Sequence, residues 1–171
     1  ISNVTIKNIR FVDYSNGIKF LFSCHHITVQ GNNITTNGGI GIWLIDSWSN
    51  NIIGNTVTDY VPGQLHLGEG IHLANSDNNS IIENSLTCSN IGLSLGGSAY
   101  NIIRRNNILD NYEGILIFRS SLNSISGNDI LANEAGIFLY YAVNNSVYGN
   151  NFNNNSQHIT DYIDSQNSLD N

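Results

Sequence analysis

IGLSLGGSAYNIIRRNNILDNY (residues 91–112) is followed directly by EGILIFRSSLNSISGNDILANE (113–134) and AGIFLYYAVNNSVYGNNFNNNS (135–156). The three segments superpose without a gap at a period of 22 residues, and a fixed period of that length is the mark of a stacked-repeat architecture. Working outward, a Gly-apolar motif recurs at Gly17-Ile18, Gly41-Ile42, Gly70-Ile71, Gly92-Leu93, Gly114-Ile115 and Gly136-Ile137. A second motif, apolar-x-x-Asn-x-apolar, keeps the same beat at Val29/Asn32/Ile34, Ile52/Asn55/Val57, Ile81/Asn84/Leu86, Ile103/Asn106/Ile108, Ile125/Asn128/Ile130 and Val147/Asn150/Phe152.

Within both motifs apolar and polar residues alternate, the period-2 signature of strands with one buried face, and no stretch carries a helical period. Each repeat reads as two short strands separated by turns. Too little chain separates the repeats for a crossover helix, so each must stack directly on the last. The expected fold is all-β: a right-handed parallel β-helix of about seven 22-residue rungs, with one loop insertion near residues 59–69.

Stacked rungs lie about 4.8 Å apart, so equivalent residues form columns along the axis. Asn32, Asn55, Asn84, Asn106, Asn128 and Asn150 are expected to make an amide ladder, and the recurrent glycine is expected to serve a turn with positive φ. Cys24 and Cys88 fall three rungs apart, roughly 14 Å by rung spacing, beyond the reach of a disulfide.

A coil of this length accounts for residues 1–171 as a single domain. The chain contains no methionine, so it reads as part of a larger protein, whose neighbouring domains, or further copies of the chain, would cover the exposed ends of the coil. Net charge is −7, which leaves no basic patch for nucleic acid. No apolar run is long enough to span a membrane.

Two departures from the repeat mark the candidate site, since broken rules concentrate where function lies. One is the interval from Gly41 to Gly70, which is 29 residues rather than 22 and inserts a loop around Asp59–Glu69. The other is the outward side of the Gly-containing strands. Its columns read Lys19, Trp43, His72, Ser94, Leu116, Phe138 and Leu21, Ile45, Ala74, Gly96, Phe118, Tyr140, with Phe22, Asp46, Asn75, Gly97, Arg119, Tyr141 at the adjoining turn. Large residues at both ends around a small middle rung describe a depression. Trp43, Asp46, His72 and Asn75 form its lower wall, Ser94, Gly96 and Gly97 its floor, and Leu116, Phe118, Arg119, Tyr140 and Tyr141 its upper wall. Aromatic rings beside amide, carboxylate and guanidinium groups suit a sugar, and Arg119 suits a uronate carboxylate. The same exposed apolar face suits contact with another domain or subunit.

Glu69 and Glu113 both precede the recurrent glycine two rungs apart, which places them about 9.6 Å from each other, near the spacing of an inverting glycosidase pair. Asp46 is a further carboxylate candidate. For an elimination, His72, Arg119 or Tyr141 would supply the base. His66-x-x-Glu69-x-x-His72 has metal-like spacing without a helix to converge it, whereas Asp46, Asp59 or Glu69 could hold a calcium ion with an acidic sugar. His25, His26 and His158 read as unclustered turn residues.

The rungs N-x-I-x-x-N-x-I and G-I-x-L resemble the parallel β-helix repeats of the pectin-lyase-like superfamily, in its NosD-like, carbohydrate-binding and sugar-hydrolase branch. Within it the short Asn-rich rungs are similar to those of archaeal surface proteins such as the methanogen disaggregatases. The branch includes polysaccharide lyases and hydrolases, surface-layer proteins and periplasmic factors for copper-enzyme maturation. The resemblance therefore implies an extracellular or cell-surface protein that binds and degrades polysaccharide, or a non-catalytic surface module, or a metal-handling maturation factor.

Overall fold

Every outward-turning residue in a short rung must reverse the chain within one or two residues, and the computed structural model, which describes residues 1–59, 67–163 and 166–170, shows how. Each turn of this right-handed parallel β-helix carries three short strands, not two. The apolar-x-x-Asn-x-apolar motif is itself two strands joined by a corner: Ile102–Arg104 lies on one face and Asn107–Leu109 on the next. The Gly motif forms the third face, as in Ile91–Gly96 and Glu113–Phe118. What the alternation alone could not show was the corner, because a single left-handed residue leaves the apolar beat almost unbroken.

That corner residue is Glu83, Arg105, Gly127 or Gly149 in successive rungs, with φ of 57°, 54°, 59° and 59°. A left-handed conformation costs a non-glycine residue roughly 1–2 kcal/mol. The following asparagine offsets it. Asn106, 1% exposed, accepts the backbone N–H and the side-chain amide of Asn84 and donates to Asn128 Oδ1 at 2.9 Å and to the Ile81 carbonyl at 3.0 Å. The same bonds run unbroken from Asn32 to Asn150. Two further asparagine ladders, not anticipated from the second motif, hold two other corners: Asn50 through Asn79, Asn101, Asn123 and Asn145 to Asn167, and Asn111 through Asn133 to Asn155; serines stack at the remaining one, from Ser47 through Ser76 and Ser98 to Ser120.

The rungs pair in parallel register at every step. On the third face Trp43 aligns with His72, Ser94, Leu116 and Phe138, and Ile45 with Ala74, Gly96, Phe118 and Tyr140. Strands Arg10–Leu21 and Asn33–Ile45 run round a corner and join the second and third faces into one sheet. Inside, aliphatic side chains stack in columns, such as Ile52, Ile81, Ile103, Ile125 and Val147, all with no solvent exposure.

The recurrent glycine has a different reason from the one expected. None of Gly41, Gly70, Gly92, Gly114 and Gly136 has positive φ. A Cβ on Gly114 would instead lie 2.5 Å from the Gly136 carbonyl oxygen and 3.2 Å from Asn133 Nδ2. The glycine is required by close approach of one rung's backbone to the next. Cys24 and Cys88 are not bonded to each other. Residues 60–66 of the expected insertion lie outside the described residues. Among the described residues, no helix is long and apolar enough to cross a membrane.

Two substitutions separate these effects by thermal or chemical denaturation. Asn106→Ala leaves several buried groups unpaired at about 1–3 kcal/mol each, whereas its exposed neighbour Asn107→Ala is expected within about 0.5 kcal/mol of the wild type. Gly114→Ala, which has no φ barrier but forces the rungs apart, is expected to destabilise by about 1–3 kcal/mol; an unchanged midpoint would contradict the close-approach argument.

Candidate functional site

In strand Glu69–Ala74 the residues Gly70, Ile71 and Leu73 are buried, which turns Glu69, His72 and Ala74 outward. One rung on, Ser94 pairs directly with His72. These positions bring three polar side chains together. His72 Nδ1 lies 2.5 Å from Glu69 Oε2 and 2.8 Å from Ser94 Oγ, and the Ser94 hydroxyl also donates to Glu69 Oε2. Ser94 and Glu69 meet the same imidazole nitrogen, so the trio is not a nucleophile relay, which needs its two partners on opposite nitrogens. It is a carboxylate held by two donors. Ser94, expected as a substrate-binding residue on the floor of the depression, is part of the cluster; its signal in the sequence is its place in the His72 column.

Trp43 closes one side, its ring edge-on to His72 at 5.8 Å, with Lys19 Nζ 3.7 Å above the indole. Its indole N–H is buried without an acceptor, alone in that respect among the described residues, so unsatisfied polarity gathers at this spot. Glu113 lies in the Glu69 column with Ile91 between them. The two carboxyl groups are driven in opposite directions. Burial tends to raise Glu69, but the hydrogen bonds from His72 and Ser94 and the nearby imidazole charge outweigh it and hold the group below the ordinary glutamate value. Glu113 is pushed above that value by burial and then by the charge of Glu69.

The other expected residues lie at the opposite end of the same strands. Phe118, Tyr140 and Tyr162 stack along the axis, with centroids 5.7 and 5.4 Å apart, and Tyr141 meets Tyr140 edge-on at 4.7 Å. The Arg119 guanidinium lies over Phe118 and Tyr141 at 5.1 and 5.8 Å. Tyr162 was missed because its rung carries weaker apolar periodicity. Asn75, Asp46, Arg119 and Tyr141 occupy the corner in the left-handed region, an uncommon place for large side chains. The expected single depression thus resolves into a carboxylate–imidazole end and an aromatic–guanidinium end. From Glu69 to the Asp46–Asn75 column is on the order of 20 Å along the strand.

That separation keeps Asp46 from acting at one centre with Glu69. Asp59 is removed by burial. It is 3% exposed, and its oxygens accept Thr36 Oγ1 at 3.0 Å and the Gly38 and Gly68 amides at 2.7 and 2.9 Å. It is a staple between rungs. His66 lies outside the described residues. His25 and His26 do meet, Nδ1 to Nδ1 at 2.9 Å, with His25 stacked on Trp48, and His158 sits in strand Gln157–Tyr162 against Phe152 rather than in a turn. Among the described residues no group of three His, Cys, Asp or Glu side chains converges to hold a metal.

Solved structures of similar fold include two mannuronan C-5 epimerase A-modules from Azotobacter vinelandii. The AlgE6 module has a TM-score of 0.66 at 15% identity, covering 98% of this chain and 57% of that one; the AlgE4 module has 0.64 at 16%, covering 97% and 58%. The periplasmic alginate epimerase AlgG gives 0.51 at 21%, covering 84% and 40%. The chain thus spans little more than half the length of these modules. No curated protein sequence matches it. The family model described as periplasmic copper-binding protein (NosD) matches residues 1–100 and 64–171, and together these matches run the full length: the chain belongs to the NosD family.

Proposed function

We propose that this chain is a polysaccharide-acting domain that works outside the cytoplasm or at the cell surface and holds its substrate across the outward third face. The observation that carries the reading is the Glu69–Glu113 pair: two carboxyls in one column, pushed apart in proton affinity, beside Trp43 and His72. Environments that separate two carboxyls in this way assign an acid and a base. Glu113, which retains its proton to higher pH, is the general acid for the leaving oxygen. Glu69, ionised and oriented by His72 and Ser94, is the base for water. Two rungs, about 9.6 Å, approach the separation that leaves room for that water, so hydrolysis proceeds with inversion. The aromatic–guanidinium end then binds the same polymer some units away, which supplies positioning energy rather than chemistry.

A second reading, proton abstraction beside a uronate carboxylate, is favoured by one observation. Nδ1 of His72 is committed to Glu69, which leaves Nε2 as the basic nitrogen, held by a carboxylate as general bases often are. The fold shared with mannuronan C-5 epimerases is consistent with chemistry on an acidic sugar. For copper handling, the family's description, no third His, Cys, Asp or Glu joins His72 and Glu69 among the described residues, which do not include His66, and His25 and His26 bring two ring nitrogens together.

Incubation with a panel of neutral and acidic polysaccharides, followed by chain length and by ultraviolet absorbance of unsaturated ends, separates the readings. Hydrolysis predicts shortening without that absorbance, elimination predicts both, and retention of a polymer without shortening would reduce the domain to a binding module. Under hydrolysis, Glu69→Gln and Glu113→Gln each lower kcat by about 10²–10⁴-fold, while Asp46→Asn leaves kcat intact and affects KM. The pH profile of kcat/KM is expected to be bell-shaped. Its acid limb falls below the ordinary glutamate value, where Glu69 protonates, and its alkaline limb lies above it, where Glu113 ionises. Glu113→Gln should abolish the alkaline limb, and a profile with unshifted limbs would contradict the assignment.

A further inference from the structure

A depression of about 360 Å³ lies away from the third face, at the corner between the first two, lined by Arg104, Arg105, Ser126, Gly127, Tyr148 and Gly149. Its plan follows from the register. Arg104, Ser126 and Tyr148 stack as one outward column, and Arg105, Gly127 and Gly149 are the left-handed corner residues of the same three rungs. Two guanidinium-bearing residues therefore form one wall, a phenol the other, and small residues the floor. A Cβ on Gly127 or Gly149 would meet nothing within 4 Å, so the floor is open space and not packed backbone.

Charge makes this unusual. The chain is acidic, with six Lys and Arg in all, yet two of them are adjacent here. Arg105 is loosely engaged, its Nη1 3.3 Å from Glu83 Oε1 with both side chains more than half exposed, an arrangement worth little in water. Tyr148 is also exposed and lies close to the Ser124 and Ser126 hydroxyls. Asp170, one rung beyond Tyr148, and Glu83, one rung before Arg105, bound the positive zone on either side. The cationic stretch is thus about one sugar unit wide, too short to neutralise a nucleic-acid backbone.

We propose that this corner is a second glycan-binding site, separate from the third face, which takes one anionic sugar unit. Arg104 and Arg105 hold its carboxylate or sulfate group, and the ring lies on the Ser126–Gly127–Gly149 floor against Tyr148. A guanidinium is suited to planar, paired hydrogen bonds with such an anion, and a phenol supplies both an apolar face and a hydroxyl. The site does not depend on the reaction proposed for Glu69 and Glu113, and it would anchor the domain to an acidic polymer whether or not that polymer is cut.

The test is titration of the ¹⁵N-labelled chain with three probes: a uronate oligosaccharide, a sulfated neutral oligosaccharide and inorganic sulfate. Saturable shifts of the Gly127 and Gly149 amides are expected with one of the two oligosaccharides, which identifies the anion, and not with inorganic sulfate alone. Arg104→Gln with Arg105→Gln should weaken that response at least 10-fold while leaving the melting temperature unchanged. Gly127→Asn, compatible with the left-handed backbone, fills the floor and keeps both arginines, and it should weaken binding to a similar degree. No shift at these glycines with either oligosaccharide, or equal affinity in Gly127→Asn, overturns the proposal; the latter would mean that charge alone attracts the ligand. Because the readout is local, these outcomes are independent of turnover at the third face.

Discussion

The buried asparagine side chain is the constraint on which the rest depends. A coil of three short strands per turn has three sharp corners, and each corner leaves backbone amides and carbonyls that the strands cannot pair. An inward asparagine offers two donors and an acceptor at the rung spacing, so one residue type satisfies its own rung and its neighbours. Asn106 does this four times over. With the corners satisfied from inside, the outward positions are released from structural duty. The left-handed corner before a buried asparagine can then be Glu83 or Arg105 as readily as glycine, while at the corner carrying Arg119 the inward residue is Ser120, whose hydroxyl accepts the Ser98 amide; both proposed sites are built from such outward positions.

Much of this was legible in the chain. The 22-residue period gave the solenoid, the second motif gave one amide ladder, and counting residues from each glycine assigned the outward columns that the register reproduces. The third strand was not legible, because a one-residue corner does not interrupt the apolar beat. Nor was the role of the recurrent glycine: close approach and positive φ leave the same residue in a sequence, and only a neighbouring carbonyl at 2.5 Å distinguishes them. Spacing brought Glu69 and Glu113 into one column, yet it could not say that Ser94 and His72 converge on a single oxygen of Glu69 and so separate the two carboxyls in proton affinity. Nor could spacing say that Asp46 is set apart from Glu69 by strand length, or that Asp59 is engaged by backbone amides.

The third face and the corner around Tyr148 use one design at two scales. At the third face Ser94 lies between His72 and Leu116, and at the corner Ser126 and Gly127 lie between the Arg104–Arg105 rung and the Tyr148 rung. A solenoid makes such cradles readily, because a change at one outward position alters one column without disturbing the register beneath. Polymers with a regular repeat suit a surface with a regular repeat, and this is the physical reason that a glycan is the ligand proposed at both places.

The most direct test of the acid–base pair is to follow the side-chain carboxyl resonances of Glu69 and Glu113 by carbon-detected NMR as pH is varied, in the wild type and in Ser94→Ala. Glu69 is expected to titrate below and Glu113 above the ordinary glutamate value, and loss of the Ser94 hydroxyl is expected to move Glu69 upward. If both groups titrate together at the ordinary value, the column does not form a coupled pair, and the catalytic reading of the third face is wrong.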